Sequence, residues 1–172
     1  MTKDLIEIEA RVQGSFSSDD PTKALEHDHN YVKKLMHAYL TTQNKEVKKN
    51  VGPKICEALE THTSLEESVF YPHVKELNSA LIERCLEDHQ QADDLIRQMK
   101  ELLPGEAEYD ELMQQLHDSV MEHMSVEEKQ LFTEVRDSDI NLYDLALQMQ
   151  SYESNLVAAH ARLSTTRPEQ RL

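Results

Sequence analysis

Two stretches of this chain carry an imidazole and a carboxylate four residues apart, His62-x-x-x-Glu66 and His123-x-x-x-Glu127. In a helix that spacing sets both groups on one face, one turn apart. His29 and His89 add one imidazole each from two other segments. All six fall where the surrounding pattern is Leu, Val, Ile and Met. Burying one carboxylate without a partner is costly, and burying two together is worse. Metal removes that cost. Four His and two Glu suffice for two ions, each with two imidazoles and a share of two bridging carboxylates. The mixed nitrogen and oxygen set suits iron or manganese and leaves zinc open. The plain alternative is a polar network without metal, which needs several donors for each buried Glu.

The elements that must position these residues read as helices throughout. No segment of Val, Ile, Thr and aromatics alternates at period 2. Asp19-Asp20-Pro21 predicts the start of a helix over 21–42. Its inner face is Leu25, His29, Val32, Met36 and Tyr39. Residues 44–50 read as a polar connection, with Gly52-Pro53 starting or kinking the next helix. That helix runs to Leu77 with the face Ile55, Leu59, His62, Glu66, Val69, His73, Leu77, and it bends at Pro72. A third helix, capped by Asn78 or Ser79 and ending at Leu103, presents Ile82, Cys85, His89, Ala92, Ile96, Met99 and Leu103. Pro104-Gly105 is a turn. The fourth helix, 106–136, presents Met113, Leu116, Val120, His123, Glu127 and Leu131. Ser138 or Asp139 caps a fifth over 140–163, with Leu142, Leu145, Met149, Tyr152 and Leu156 inward. The expected fold is all-α. An up-down-up-down four-helix bundle spans 21–137, and an additional C-terminal helix over 138–164 packs on it. Residues 1–20 form an arm or short helix, and 165–172 a tail.

At these residues the chain resembles the hemerythrin-like, or HHE cation-binding, family. The motifs are Asp28-His29, His62-Thr-Ser-Leu-Glu66-Glu67-Ser-Val-Phe-Tyr-Pro72, Glu87-Asp88-His89 and His123-Met-Ser-Val-Glu127-Glu128-Lys-Gln-Leu-Phe132, within residues 21–136. The resemblance implies a four-helix bundle around a non-haem di-iron centre, oxo- or hydroxo-bridged. Its metal ligands would be His29, His62, Glu66, His89, His123 and Glu127, with Glu66 and Glu127 bridging. Two departures matter. Oxygen-carrying hemerythrins take a second His one turn after the first on the third helix, where this chain has Asp93. They also bridge with an Asp at five-residue spacing on the fourth helix, where this chain has Glu127 at four. The pattern is closer to four-His, two-Glu members, among them iron-centre repair proteins and an iron-sensing F-box domain. One fewer His disfavours reversible oxygen carriage. It favours reaction with oxygen, peroxide or nitric oxide, or iron sensing.

Other polar residues have plainer readings. His73 lies too far along its helix to share ions with His62. His160 and Tyr152 read as packing, with a ligand role for His160 or Asp93 the sharper alternative. His27, His37 and His117 read as surface, and Asp93 as a partner behind a ligand. Asp28, Glu67 and Glu128 either orient ligand imidazoles or are solvated helix charges. Cys85 reads as a small core residue.

Composition narrows the partners. The formal charge is -15, from 18 Lys+Arg against 33 Asp+Glu. That opposes nucleic acid and anionic lipid. No apolar run approaches the ~18 residues of a membrane span, and no signal peptide is evident. Two cysteines, Cys56 and Cys85, suit a reducing compartment, so the expected location is cytoplasmic. An apolar strip on the last helix leaves monomer and homodimer both open. The first functional reading is a di-iron protein that binds and reacts with O2, peroxide or NO, in stress defence or sensing. The alternative is an iron store, donor or sensor without turnover. A purely structural bundle ranks last.

Overall fold

The computed structural model describes residues 20–165, with side chains through 159. The expected N-terminal arm, the C-terminal tail and the side chain of His160 lie outside the described residues. The fold is all-helical, as the sequence predicts, with no strand among the described residues.

Helix α1 spans Thr22–Thr41 and α2 spans Lys45–Leu65. A π-helical segment, Glu66–Phe70, carries α2 into α3, Tyr71–Val74. Helix α4 spans Ser79–Met99. Helix α5, Ala107–Val126, runs through a second π segment, Glu127–Leu131, into α6, Phe132–Arg136. Helix α7 spans Leu142–Thr165. The neighbours are α1 with α2, α4 with α5, α1 with α5 and α2 with α4, and α7 lies against α2 and the first π segment. That is a four-membered ring of helices with a fifth laid on one side.

Caps set the starts. Asp20 Oδ1 accepts from the Thr22 amide at 3.0 Å. Asn44 Oδ1 accepts from the Glu46 amide at 2.9 Å and Asn78 Oδ1 from the Leu81 amide at 3.1 Å. Asn141 caps α7, accepting from the Asp144 amide at 3.2 Å, where the sequence pointed to Ser138 or Asp139. The Asn44 cap also corrects the expected polar connection at 44–50, which is the first part of α2. Lys48 is held there by tertiary contact, its Nζ donating to Asp110 Oδ2 at 2.5 Å. Gly52 and Pro53 sit inside the helix; a Cβ on Gly52 would lie 2.7 Å from the Tyr109 hydroxyl, so glycine permits that close approach. Helix α4 ends at Met99, short of Leu103, because the 99–102 backbone closes into tight turns.

The π segments are the main departure from the periodic reading. Tyr71 N–H bonds to the Glu66 carbonyl and Phe132 N–H to the Glu127 carbonyl, each five residues back. Pro72 gives the first one a cause. It has no N–H, and its ring crowds the carbonyl four residues earlier, so the turn opens by one residue. Everything downstream is rotated by one position. His73 and Leu77, expected inside, are exposed, and Tyr71 and Val74 are buried in their place.

The core divides into two apolar layers. One holds Val32, Met36, Tyr39, Ile55, Leu59, Ala92, Ile96, Met113, Leu116 and Val120. The other holds Leu25, Leu65, Phe70, Val74, Ile82, Cys85, Leu131, Phe132, Val135, Leu145 and Met149. Every helix of the ring crosses from one layer to the other, and in each a histidine lies at or beside the crossing. His29 lies between Leu25 and Val32, His62 between Leu59 and Leu65, His89 between Cys85 and Ala92, and His123 between Val120 and Leu131.

Candidate metal centre

The polar layer between those two cores is made of the six residues singled out from the sequence. His29, Glu66 and Glu127 are fully buried, and His62, His89 and His123 nearly so. The imidazoles meet in pairs. His29 Nε2 lies 3.0 Å from His62 Nε2, and His89 Nε2 lies 3.1 Å from His123 Nε2. The carboxylates link the pairs. Glu66 Oε2 is 3.2 Å from His62 Nε2 and 3.4 Å from His89 Nε2. Glu127 Oε2 is 3.2 Å from His123 Nε2 and 3.4 Å from His29 Nε2. Each carboxylate therefore touches one imidazole of each pair.

The outer edges of the rings are also held. His29 Nδ1 bonds Glu128 Oε1 at 2.9 Å, and His89 Nδ1 bonds Glu67 Oε1 at 2.9 Å. His62 Nδ1 stands 3.7 Å from Asp28 Oδ2, and His123 Nδ1 stands 3.5 Å from Asp88 Oδ2. Those two separations are electrostatic contacts rather than hydrogen bonds. A carboxylate at Nδ1 fixes the proton there and turns the Nε2 lone pair inward. Two lone pairs 3.0 Å apart repel unless a proton or a cation lies between them. Glu67 and Glu128 are thus the orienting partners that were one of two readings of the sequence, while Asp28 and Asp88 face His62 and His123 at electrostatic distance only.

The donor set fits a cation. Two buried carboxylate oxygens, Glu66 Oε1 and Glu127 Oε2, have no hydrogen-bond partner. Such atoms are costly in an apolar core unless something positive satisfies them. Ligand atoms of His29, His62, Glu66 and Glu127 lie within 4.8 Å of one another, as do those of Glu66, His89 and His123. These are two overlapping groups that could each hold an ion.

Protons compete for the same atoms. Burial opposes charging His29, but Glu127 and Glu128 overcome it and raise its pKa to about 9. Burial likewise opposes charging His89, and Glu66 and Glu67 raise it to about 9. His123 is opposed by burial and raised to about 11, chiefly by Glu127. Burial disfavours the Glu127 anion, yet His123 and His29 hold its carboxyl well below the usual range. The hydrogen bond from His29 takes Glu128 down to about 2. Metal binding in such a site displaces protons.

Sequence reasoning missed two residues here. Tyr71 stacks on His89 with ring centroids 5.5 Å apart, and its hydroxyl donates to Glu127 Oε1 at 2.7 Å. Phe132 stacks on His29 at 5.6 Å. Both follow a π segment, which moves a residue five positions after Glu to where a regular helix places the fourth. Pro72 was the available signal for Tyr71; the sequence around Phe132 contains no equivalent. Burial, then the Glu66 and Glu127 charges, push the Tyr71 phenol well above 10, so it keeps its proton and donates.

The remaining candidates lie outside the cluster. His27, His37 and His73 are exposed, the last bonding the Val69 carbonyl through Nδ1 at 2.7 Å. His117 pairs with Asp118 on the surface. Asp93 is half-buried, its carboxyl raised by burial and by neighbouring Glu67. Cys85 is buried beside His123; burial pushes its thiol up. Tyr152 of α7 bonds Ser64 Oγ at 2.8 Å and Ser68 Oγ at 2.9 Å, on either side of Glu66. A cavity of about 10 Å3, room for about one water, borders His62, His89 and His123. Among the described residues no helix is long and apolar enough to cross a membrane.

The Hemerythrin HHE cation binding domain profile matches residues 20–135. A DNA nickase of Nostoc sp. strain PCC 7120 is 29% identical over 131 residues, 75% of this chain and 37% of that protein. The chain therefore spans little more than a third of that relative's length. The crystal structure of a Hemerythrin HHE cation binding domain-containing protein from Mycobacterium kansasii superposes with a TM-score of 0.72. It covers 86% of this chain and 93% of the other at 18% identity, which is a likeness of fold.

Proposed function

The chain belongs to the hemerythrin HHE cation-binding domain family, and from that premise we propose that it holds a non-haem di-iron pair and reacts there with a small oxidant or gas. His29, His62, His89, His123, Glu66 and Glu127 would hold the metal. One observation carries the reading: four inward Nε2 atoms and two buried carboxylates converge between apolar layers, with carboxylate oxygens left unpaired. When bound, iron supplies a redox couple and a coordination position for O2, peroxide or NO.

The chain's own groups do the rest. Glu128 and Glu67 lock the outer imidazole edges of His29 and His89. The rings of Tyr71 and Phe132 cover His89 and His29 and keep bulk water off them. The cavity beside His62, His89 and His123, about 10 Å3, admits only a ligand of a few atoms. A charge of -15 opposes duplex DNA, and the similarity to a DNA nickase rests on 37% of that protein, so the proposed partner is a small molecule.

The test is metal analysis beside the ultraviolet–visible spectrum, before and after reduction and exposure to air, peroxide and NO. The expected result is about two irons per chain, with charge-transfer bands that one of these reagents changes. Zinc or no metal, with Glu66→Ala as stable as the parent, would sink the reading.

A second reading, iron sensing, is favoured by the Tyr152 hydroxyl that ties α7 to Ser64 and Ser68 around Glu66. Metal at Glu66 would then tighten α7. Identical proteolysis of α7 with and without iron would count against it.

A further inference from the structure

We propose that Tyr71 is a positioning residue that makes the two ion positions unequal, and that the position between His89 and His123 is the one left open. The inference rests on the di-metal reading above. The site is built twice over. Asp28-His29, His62, Glu66-Glu67 in the first half of the bundle recur as Asp88-His89, His123, Glu127-Glu128 in the second. Among these groups and the rings stacked on them, the repeat departs at one place: Tyr71 in one half, Phe132 in the other.

That difference falls on the bridging carboxylates. Glu127 Oε1 accepts the Tyr71 hydroxyl proton at 2.7 Å. The same hydroxyl is 3.4 Å from Glu66 Oε2 and 3.3 Å from His89 Nε2, so its single proton goes to Glu127. The counterpart atom, Glu66 Oε1, has no hydrogen-bond partner, and the counterpart ring, Phe132, carries no hydroxyl that could supply one. One Glu127 oxygen is therefore committed to a proton, while both Glu66 oxygens are available to cations. Glu127 Oε2 borders both positions, 3.4 Å from His29 Nε2 and 3.2 Å from His123 Nε2, but its second oxygen is held by a hydroxyl that itself stands 3.3 Å from His89 Nε2, beside the second position. The small cavity borders both imidazoles of that second position, together with His62.

The experiment is an anaerobic Fe(II) titration of the full chain against a competing chelator, with a Mössbauer spectrum of the loaded protein. The wild-type chain should bind in two steps separated roughly 10–100-fold in affinity, the worth of the hydrogen bond to a charged group that a cation must displace at Glu127 Oε1. Its spectrum should show two doublets of equal area. Tyr71→Phe keeps the ring on His89 and releases Glu127 Oε1. Its second step should tighten by the same factor and merge with the first, and the doublets should converge. The double variant Tyr71→Phe/Phe132→Tyr should split the steps again, a rescue that a space-filling role for position 71 does not produce. Where Tyr71→Phe fails to fold, Phe132→Tyr alone serves. Hydroxyls on both carboxylates should then merge the steps at the weaker affinity. A wild-type chain that takes up no iron overturns the di-metal reading and this inference with it. Two irons in the wild type with two unequal steps surviving in Tyr71→Phe overturns this inference alone.

Discussion

Glu128 offers a sharp test of how the imidazoles are held. Its Oε1 sits 2.9 Å from His29 Nδ1 and 2.7 Å from Lys33 Nζ. Glu128→Ala removes the acceptor that fixes the His29 proton at Nδ1 and aims Nε2 inward. Loss of such a contact typically lowers metal affinity about 10–100-fold, roughly 1.4–2.7 kcal/mol. Glu128→Gln keeps an oxygen that can accept from Nδ1–H, so its loss should be smaller than that of Glu128→Ala. Lys33 separates the ion pair from the imidazole contact. It is 31% exposed, so Lys33→Gln should change affinity by less than about 1 kcal/mol. The assay is Fe(II) competition with a chelator at fixed pH, with thermal unfolding of the metal-free proteins as a control for fold. The order Ala weaker than Gln weaker than Lys33→Gln is expected. Glu128→Ala binding iron as tightly as the parent would refute the claim that this carboxylate orients His29.

Two further outcomes follow from the same geometry. His29 and His89 have pKa values raised to about 9 and His123 to about 11, above the 6.5 of an exposed imidazole. Groups raised in the folded state stabilise it below the unfolded value and lose that contribution as pH climbs through the folded one. The metal-free melting temperature should therefore fall as pH rises from 6.5 through about 9, while the iron-loaded protein, with metal on those nitrogens, should fall less; a flat metal-free profile would contradict this. Tyr152→Phe removes hydrogen bonds to Ser64 and Ser68, each contributing about 0.5–1.5 kcal/mol. Amide exchange in α7 should speed up while exchange in α4 stays as it was; equal exchange in α7 would show that apolar packing alone holds it.

Much of this molecule is legible in its sequence. Apolar residues at helical spacing mark the four helices of the ring, because an amphipathic helix must bury one stripe. The six polar residues stand out within that stripe, since buried carboxylates and imidazoles need a shared partner. Their convergence into one layer follows from the helix rise and antiparallel packing. Counting at 3.6 residues per turn assumes an unbroken register, however, and there the sequence reading stops. The π segments after Glu66 and Glu127 each admit one extra residue. This turns His73 and Leu77 out to solvent and brings Tyr71 and Phe132 onto the imidazoles. Local sequence hints at the first through Pro72. Nothing local marks the second. Likewise the start of α2 depends on Lys48 reaching Asp110 on a helix far along the chain. Periodicity and residue chemistry decide which groups enter the core; long-range packing decides the register in which they arrive, and so which ring and which hydroxyl face each carboxylate.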